Sequence, residues 1–225
     1  MKIIHFYGLR RSGNHAILEW LLHSMGKNMD KEVVKLNRII KRGNVAYFND
    51  CGWWSSNPLD FNRDLAEQEN NGLRTSILTY EDLDLTYKKI DTTYAKIVLI
   101  RDIFPLAASR IKRGSGDMLV DQKFVDKWIS YARSFEDSSC LNIKYEDWLT
   151  SKEYRDNFLH KLGYLNLDKI DQVSTIGDGS SFVGKELDST ENLLNRHKQV
   201  KFTPEIERLL NQSSVVEWRK RIGYE

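Results

Sequence analysis

The chain has 225 residues, which is enough for one domain with a full core. Its 29% charged and 40% hydrophobic residues are those of an ordinary globular protein, and a net charge of +2 excludes binding nucleic acid or membrane through bulk charge. Any anion site must therefore be built from local arginines and lysines. No apolar run approaches the roughly 20 residues that span a bilayer, so no transmembrane segment is expected. Charges and a glycine loop interrupt the N-terminus before a signal-peptide core forms. Two cysteines, Cys51 and Cys140, without metal-like spacing suggest a reducing, cytoplasmic location, with a Cys51–Cys140 bridge as the lesser alternative.

In chain order, the apolar runs predict strands at 2–7, 44–49, 74–80, 95–101 and 140–145. Helical patterns fall between them at 14–25, 59–69, 105–113, 121–135 and 152–162. Near-continuous apolar strands alternating with helices predict a single-domain, three-layer α/β/α fold with a central parallel sheet, like that of P-loop NTPases, over residues 1–225. Further on, Gly177-Asp178-Gly179 marks a loop, and helices are expected near 190–198 and 203–222, the latter started by Thr203-Pro204-Glu205. In such a sheet the ligand lies beyond the carboxyl ends of the strands, so the residues that end each strand matter most.

The first strand ends in Gly8-Leu9-Arg10-Arg11-Ser12-Gly13-Asn14-His15. Its two glycines fit the Gly-x-x-x-x-Gly of a phosphate loop, which aims backbone N–H groups and a helix N-terminus at an anion. Asn14 and His15 stand where Lys and Ser or Thr would grip terminal phosphates and magnesium. The cations sit inside the loop instead, as Arg10 and Arg11. The pattern predicts a phosphorylated nucleotide bound without metal; the competing reading is a glycine turn with two solvated arginines. At the end of the fourth strand stand Arg101 and Asp102, and the next helix carries Ser109. Arg101 and Ser109 suit a phosphate monoester. Alternatively, Arg101 pairs with Asp102 or Glu81, and Asp102 caps the helix that Pro105 helps to open.

Together these segments resemble the sulfotransferases that use 3′-phosphoadenosine 5′-phosphosulfate (PAPS). The family's 5′-phosphosulfate loop, Lys or Arg followed by Ser-Gly-Thr-Thr, is similar to Arg11-Ser12-Gly13-Asn14-His15, with Asn and His for the threonines. Its 3′-phosphate motif has the Arg-to-Ser spacing of Arg101 and Ser109. Tyr145-Glu146-Asp147 resembles the family's Tyr-Glu-Asp, whose tyrosine approaches adenine, and Ser180-Ser181-Phe182 resembles its Thr-Ser-Phe. Arg196-His197-Lys198 with Phe202-Thr203 looks like a worn C-terminal basic motif. The Arg at position 11 and the short chain look more like bacterial, carbohydrate or tyrosyl-protein types than small-phenol types.

The resemblance implies metal-free, in-line transfer of a sulfuryl group to an acceptor hydroxyl, on a carbohydrate or another small or polymeric acceptor. Arg11 is then the residue at the leaving phosphate oxygen, helped by Ser12 and loop N–H groups, with Arg10 as its substitute if the register shifts by one. Arg101 and Ser109 would hold the 3′-phosphate. Glu81, ending the third strand, is the first candidate for general base. The alternative has Glu81-Asp82 capping a helix or pairing with Arg101. His15, His5 and Asp50 are further candidates for the base. Trp53 and Trp54 either line an acceptor pocket or pack a subdomain. A P-loop kinase and a non-catalytic nucleotide-binding module are the competing functions. Neither the acceptor nor the oligomeric state can be read from the sequence.

Overall fold

A computed structural model describes residues 1–26, 34–36, 39–49, 51, 58–114, 118–167, 170 and 190–224. One seven-stranded sheet is built from β1 (Lys2–Gly8), β2 (Val34–Leu36), β3 (Ile39–Arg42), β4 (Val45–Phe48), β5 (Thr75–Glu81), β6 (Ala95–Ile100) and β7 (Cys140–Lys144). The spatial order is β2-β3-β4-β5-β1-β6-β7. From β4 to β7 every pairing is parallel, as the five apolar runs predict. The sheet is nevertheless mixed, because β2 and β3 add an antiparallel edge. The edge escapes a search for apolar runs because lysine and arginine interrupt it. Its turn is legible: Gly43-Asn44 joins β3 to β4 in two residues, with Gly43 at φ 59°.

Nine helices are described: α1 (Asn14–Met25), α2 (Pro58–Asn70), α3 (Ile103–Arg113), α4 (Gln122–Arg133), α5 (Tyr145–Thr150), α6 (Lys152–Lys161), α7 (Thr190–Asn195), α8 (Pro204–Leu210) and α9 (Ser213–Arg221). Strand residues alternate between two cores, because successive side chains point to opposite faces. Ile4, Phe6, Tyr47, Ile77, Ile97 and Leu99 meet α1, α5 and α6 on one side. Ile3, Tyr7, Phe48, Leu78, Val98 and Ile100 meet α2, α3, α4, α8 and α9 on the other. Burial on both faces explains why these strands read as unbroken apolar runs.

Two boundaries differ from expectation. The last strand stops at Lys144, and Tyr145 opens α5. The helix expected over 203–222 is two helices: Asn211 ends α8, its side chain donating to the Glu207 carbonyl at 2.8 Å, and extended backbone at Gln212 starts α9. That break lets Leu210, Val215 and Trp218 all reach the same core. Cys51 and Cys140 are buried free thiols, so the alternative of a bridge is not realised. Among the described residues, no helix is long and apolar enough to cross a membrane.

Candidate functional site

The chain leaves β1 toward α1 on one face of the sheet and leaves β6 toward α3 on the other. Adjacent strands whose exits diverge open a crevice at their carboxyl ends, where open α/β sheets bind ligands. The loop 9–13 and residues 101–102 form its two lips.

The loop is held open by its own side chains. Ser12 is fully buried; its hydroxyl donates to the Leu9 carbonyl and lies 3.2 Å from Asn14 Oδ1. Asn14 Nδ2 donates to the same carbonyl at 3.2 Å, and the amide fills the space a Cβ on Gly8 would need. Arg10 N–H donates to Asp82 Oδ1 at 3.0 Å. Arg11 (φ 75°) and Gly13 (φ 96°) are left-handed, and a Cβ on Gly13 would strike the Tyr145 ring. No side chain caps α1 at Gly13, and the backbone N–H groups of Asn14, His15 and Ala16 have no partner among the described residues. These are the donors a helix N-terminus offers an anion. The Ser12 hydroxyl is turned into the loop and braces it.

From the opposite lip, Arg101 Nη1 donates to the Arg11 carbonyl at 3.2 Å. Its guanidinium lies 4.7 Å over the Tyr145 ring. Arg101 Nε is buried without a hydrogen-bond partner among the described residues. Arg11 Nε donates to Ser109 Oγ at 3.4 Å. Thus Arg11, Gly13, Arg101, Ser109 and Tyr145 converge on one crevice. Among the described residues the alternative pairings of Arg101 with Asp102 or Glu81 are not formed. Asp102 takes a two-pronged bond from Arg219 at 2.9 and 2.8 Å rather than capping α3, and Glu81 is engaged elsewhere. Leaving the buried Nε of Arg101 without a partner is unfavourable, and among the described residues no ion pair offsets it.

Glu81 ends β5 beside the loop. Its Oε1 accepts from Asn14 Nδ2 at 2.6 Å, and Oε2 lies 3.7 Å from Arg10 Nε. Asp82 starts no helix. Left-handed at φ 54°, it accepts from Arg10 N–H and from Arg110 Nη2, and Lys127 Nζ binds its carbonyl at 2.7 Å. Arg11 and Asp82 are the non-glycine residues with positive φ among the described residues, and both border this site. Strain of this kind persists where the surroundings over-determine it, often at functional sites. A cleft of about 220 Å³ lies along Leu9, Asp82, Arg110, Phe124 and Lys127.

His15 is half-buried in the first turn of α1. His5 is placed away from the crevice, buried midway along β1 between the Tyr80 hydroxyl and the Thr92 carbonyl, both at 3.0 Å. Burial lowers its pKa, against the opposing Thr92 bond. Arg196–Gln199 forms a short 3-10 helix packed on α3, with Lys198 exposed; the Arg196 side chain is outside the description. His197 there has its pKa lowered, mainly by burial, with the bond to the Leu194 carbonyl and then Asp102 opposing. Ser180, Phe182, Asp50, Trp53 and Trp54 lie outside the described residues.

Three participants were missed in the sequence. Glu146 is half-buried; its Oε1 accepts the Asp102 N–H at 3.1 Å and its Oε2 the Tyr224 hydroxyl at 2.6 Å. Burial pushes its carboxyl upward in pKa, opposed by the Tyr224 bond and the Arg101 charge. Glu146 was visible within Tyr145-Glu146-Asp147, but nothing in the sequence singles out Arg219 or Tyr224. Among the described residues, no group of three or more His, Cys, Asp or Glu side chains could hold a metal ion.

No family model matches the sequence, and no curated protein matches it either. Solved structures do. The sulfotransferase domain from the olefin synthase of Synechococcus PCC 7002 superposes with a TM-score of 0.54 at 13% identity, covering 100% of this chain and 95% of that one. The sulfotransferase domain from the curacin biosynthetic pathway gives 0.52 at 12% identity, covering 100% and 98%. The fold is therefore a sulfotransferase-like α/β/α fold with a mixed central sheet.

Proposed function

We propose that this protein is a sulfotransferase that moves a sulfuryl group from PAPS to an acceptor hydroxyl, carbohydrate or other. The observation that carries this is Arg101: a half-buried arginine whose Nε is buried without a hydrogen-bond partner among the described residues and whose Nη1 is bonded at 3.2 Å to the backbone of the phosphate loop. It stands beside Ser109, whose hydroxyl already meets Arg11. The residues fit a doubly phosphorylated adenosine. The N–H groups opening α1 and Arg11 would take the 5′ end, and Arg101 with Ser109 the 3′-phosphate. Tyr145, against both Gly13 and Arg101, lies at the junction of the two grips and would border the base.

When bound, the nucleotide supplies the sulfuryl group and a phosphate leaving group. Arg11 and the loop N–H groups neutralise charge that grows on that phosphate. Glu81, oriented by Asn14 at 2.6 Å, accepts the acceptor proton. Asn14 thereby gains a purpose in place of the missing lysine: it holds both loop and base. The cleft along Asp82 and Phe124 is a route for the acceptor.

The test is transfer of ³⁵S from labelled PAPS to a panel of carbohydrate and small hydroxyl acceptors. Turnover abolished by Glu81→Gln supports the assignment. Phosphoryl transfer from ATP with magnesium, without sulfuryl transfer, would favour the kinase alternative. Nucleotide binding without any transfer would favour the non-catalytic module.

A further inference from the structure

The carboxyl-terminal segment reaches the proposed 3′-phosphate grip without supplying a ligand to it. α9 is already anchored by Val215 and Trp218 in the core. Its polar residues go elsewhere. Arg219 spans the Asp102 carboxylate with two bonds and lies 4.8 Å over the Phe104 ring. Tyr224, buried beyond the end of α9, donates to Glu146 Oε2 at 2.6 Å. Lys144 Nζ donates to the Gly223 carbonyl at 3.3 Å and lies 4.7 Å over the Tyr224 ring. The loop closes on itself, because Glu146 Oε1 accepts the Asp102 N–H at 3.1 Å.

Asp102 and Glu146 are each next in sequence to a residue of the grip, Arg101 and Tyr145. The charge of Arg101 is felt at Glu146. Yet neither forms an ion pair with Arg101 among the described residues, because Arg219 holds one carboxylate and Tyr224 with the Asp102 N–H holds the other. A partly buried charge network of this kind is a poor source of net stability, and positioning is the use we assign to it.

Resting on the nucleotide assignment above, we infer that Arg219 and Tyr224 are positioning residues: they keep Asp102 and Glu146 off Arg101, so that its guanidinium is reserved for the 3′-phosphate. Releasing either carboxylate gives Arg101 an internal partner that competes with the ligand. The loss is then confined to the 3′-phosphate.

Calorimetry on the full chain with adenosine 3′,5′-bisphosphate and with adenosine 5′-phosphate tests this. Arg219→Ala should weaken the bisphosphate about tenfold, the scale of one charge-assisted contact, while the monophosphate stays within about twofold. Tyr224→Phe, which keeps the ring on Lys144, should shift the same ratio in the same direction. Adding Asp102→Asn to Arg219→Ala should return the ratio toward wild type, a rescue that a purely structural role does not give. Parallel loss for both nucleotides, or no rescue, overturns the inference while the nucleotide assignment stands. A wild-type protein with no preference for the bisphosphate overturns the assignment and the inference with it.

Discussion

Arg101 bonds the carbonyl of Arg11 at 3.2 Å, so the end of β6 is tied to the loop that follows β1. The side chain of Arg11 turns to Ser109 on α3, eight positions beyond Arg101. Two arginines 90 residues apart in sequence thus cross-link the two lips of one crevice.

Replacing these arginines should separate binding from chemistry. Arg101→Ala is expected to weaken adenosine 3′,5′-bisphosphate by about 10- to 100-fold, the ~1.5–3 kcal/mol of a hydrogen bond to a charged group. Arg11→Ala should depress kcat far more than affinity, because its charge is needed most as the leaving phosphate develops. Calorimetry and single-turnover kinetics on both variants decide this. Equal, small effects on both quantities would contradict the division of labour.

Glu81→Gln should lower kcat by about 10²–10⁴, the usual contribution of a general base, with nucleotide affinity little changed. Asn14→Ala should show a smaller loss of the same kind, since it removes the 2.6 Å bond that orients the carboxylate. Full activity in both variants would move the base elsewhere, with His15 the next residue to test.

Gly13→Ala should destabilise the fold and disable the site together. A left-handed alanine costs about 1–2 kcal/mol, and the new Cβ would also push the Tyr145 ring from its place between loop and Arg101. A lowered midpoint in thermal unfolding with lost nucleotide binding is expected. Gly72→Ala, at a similar φ of 88° but with open space around it, is the control: it should share the strain and keep binding.

Much of this was legible because the physics was local. The apolar runs gave five parallel strands, since burial on both faces leaves nothing to alternate. Gly8, Gly13 and the arginines between them identified the loop, and Arg101 with Ser109 the second lip. The roles of Ser12 and Asn14 were not legible, because a side chain that turns inward to brace a loop has the same sequence as one that faces a ligand. Asp82, Asp102 and Glu146 depend on partners far away in sequence, Arg110, Arg219 and Tyr224 respectively, and no spacing rule connects them. The β2–β3 edge was overlooked because charged residues interrupt it, although Gly43-Asn44 marked its turn.

Stability should fall on mild acidification. Burial lowers the pKa of His5 and of His197 from the ordinary 6.5. The unfolded chain therefore binds more protons than the folded one below that value. Their contribution is complete above pH 6.5 and is lost as pH falls from 6.5 through the lower folded values. Glu146 runs the other way: its raised pKa makes its contribution greatest below 4.5, and it is lost as pH rises through the interval above 4.5. Unfolding midpoints from pH 8 to 5 should decline below about 6.5, and His5→Gln should flatten that slope. An unchanged slope in the variant would assign the decline to other groups.

Sulfuryl transfer should continue in EDTA, because Asn14 and His15 occupy the positions where a phosphate loop carries its lysine and magnesium hydroxyl. Activity strictly dependent on added magnesium would contradict this and return the kinase alternative.

The most direct measurement is a crystal structure with adenosine 3′,5′-bisphosphate bound. The account predicts the 3′-phosphate within hydrogen-bonding distance of Arg101 and Ser109, and the 5′-phosphate at Arg11 and the N–H groups that open α1. A ligand whose two phosphates lie outside the crevice between the loop and Arg101, or whose 3′-phosphate leaves Arg101 untouched, would contradict it.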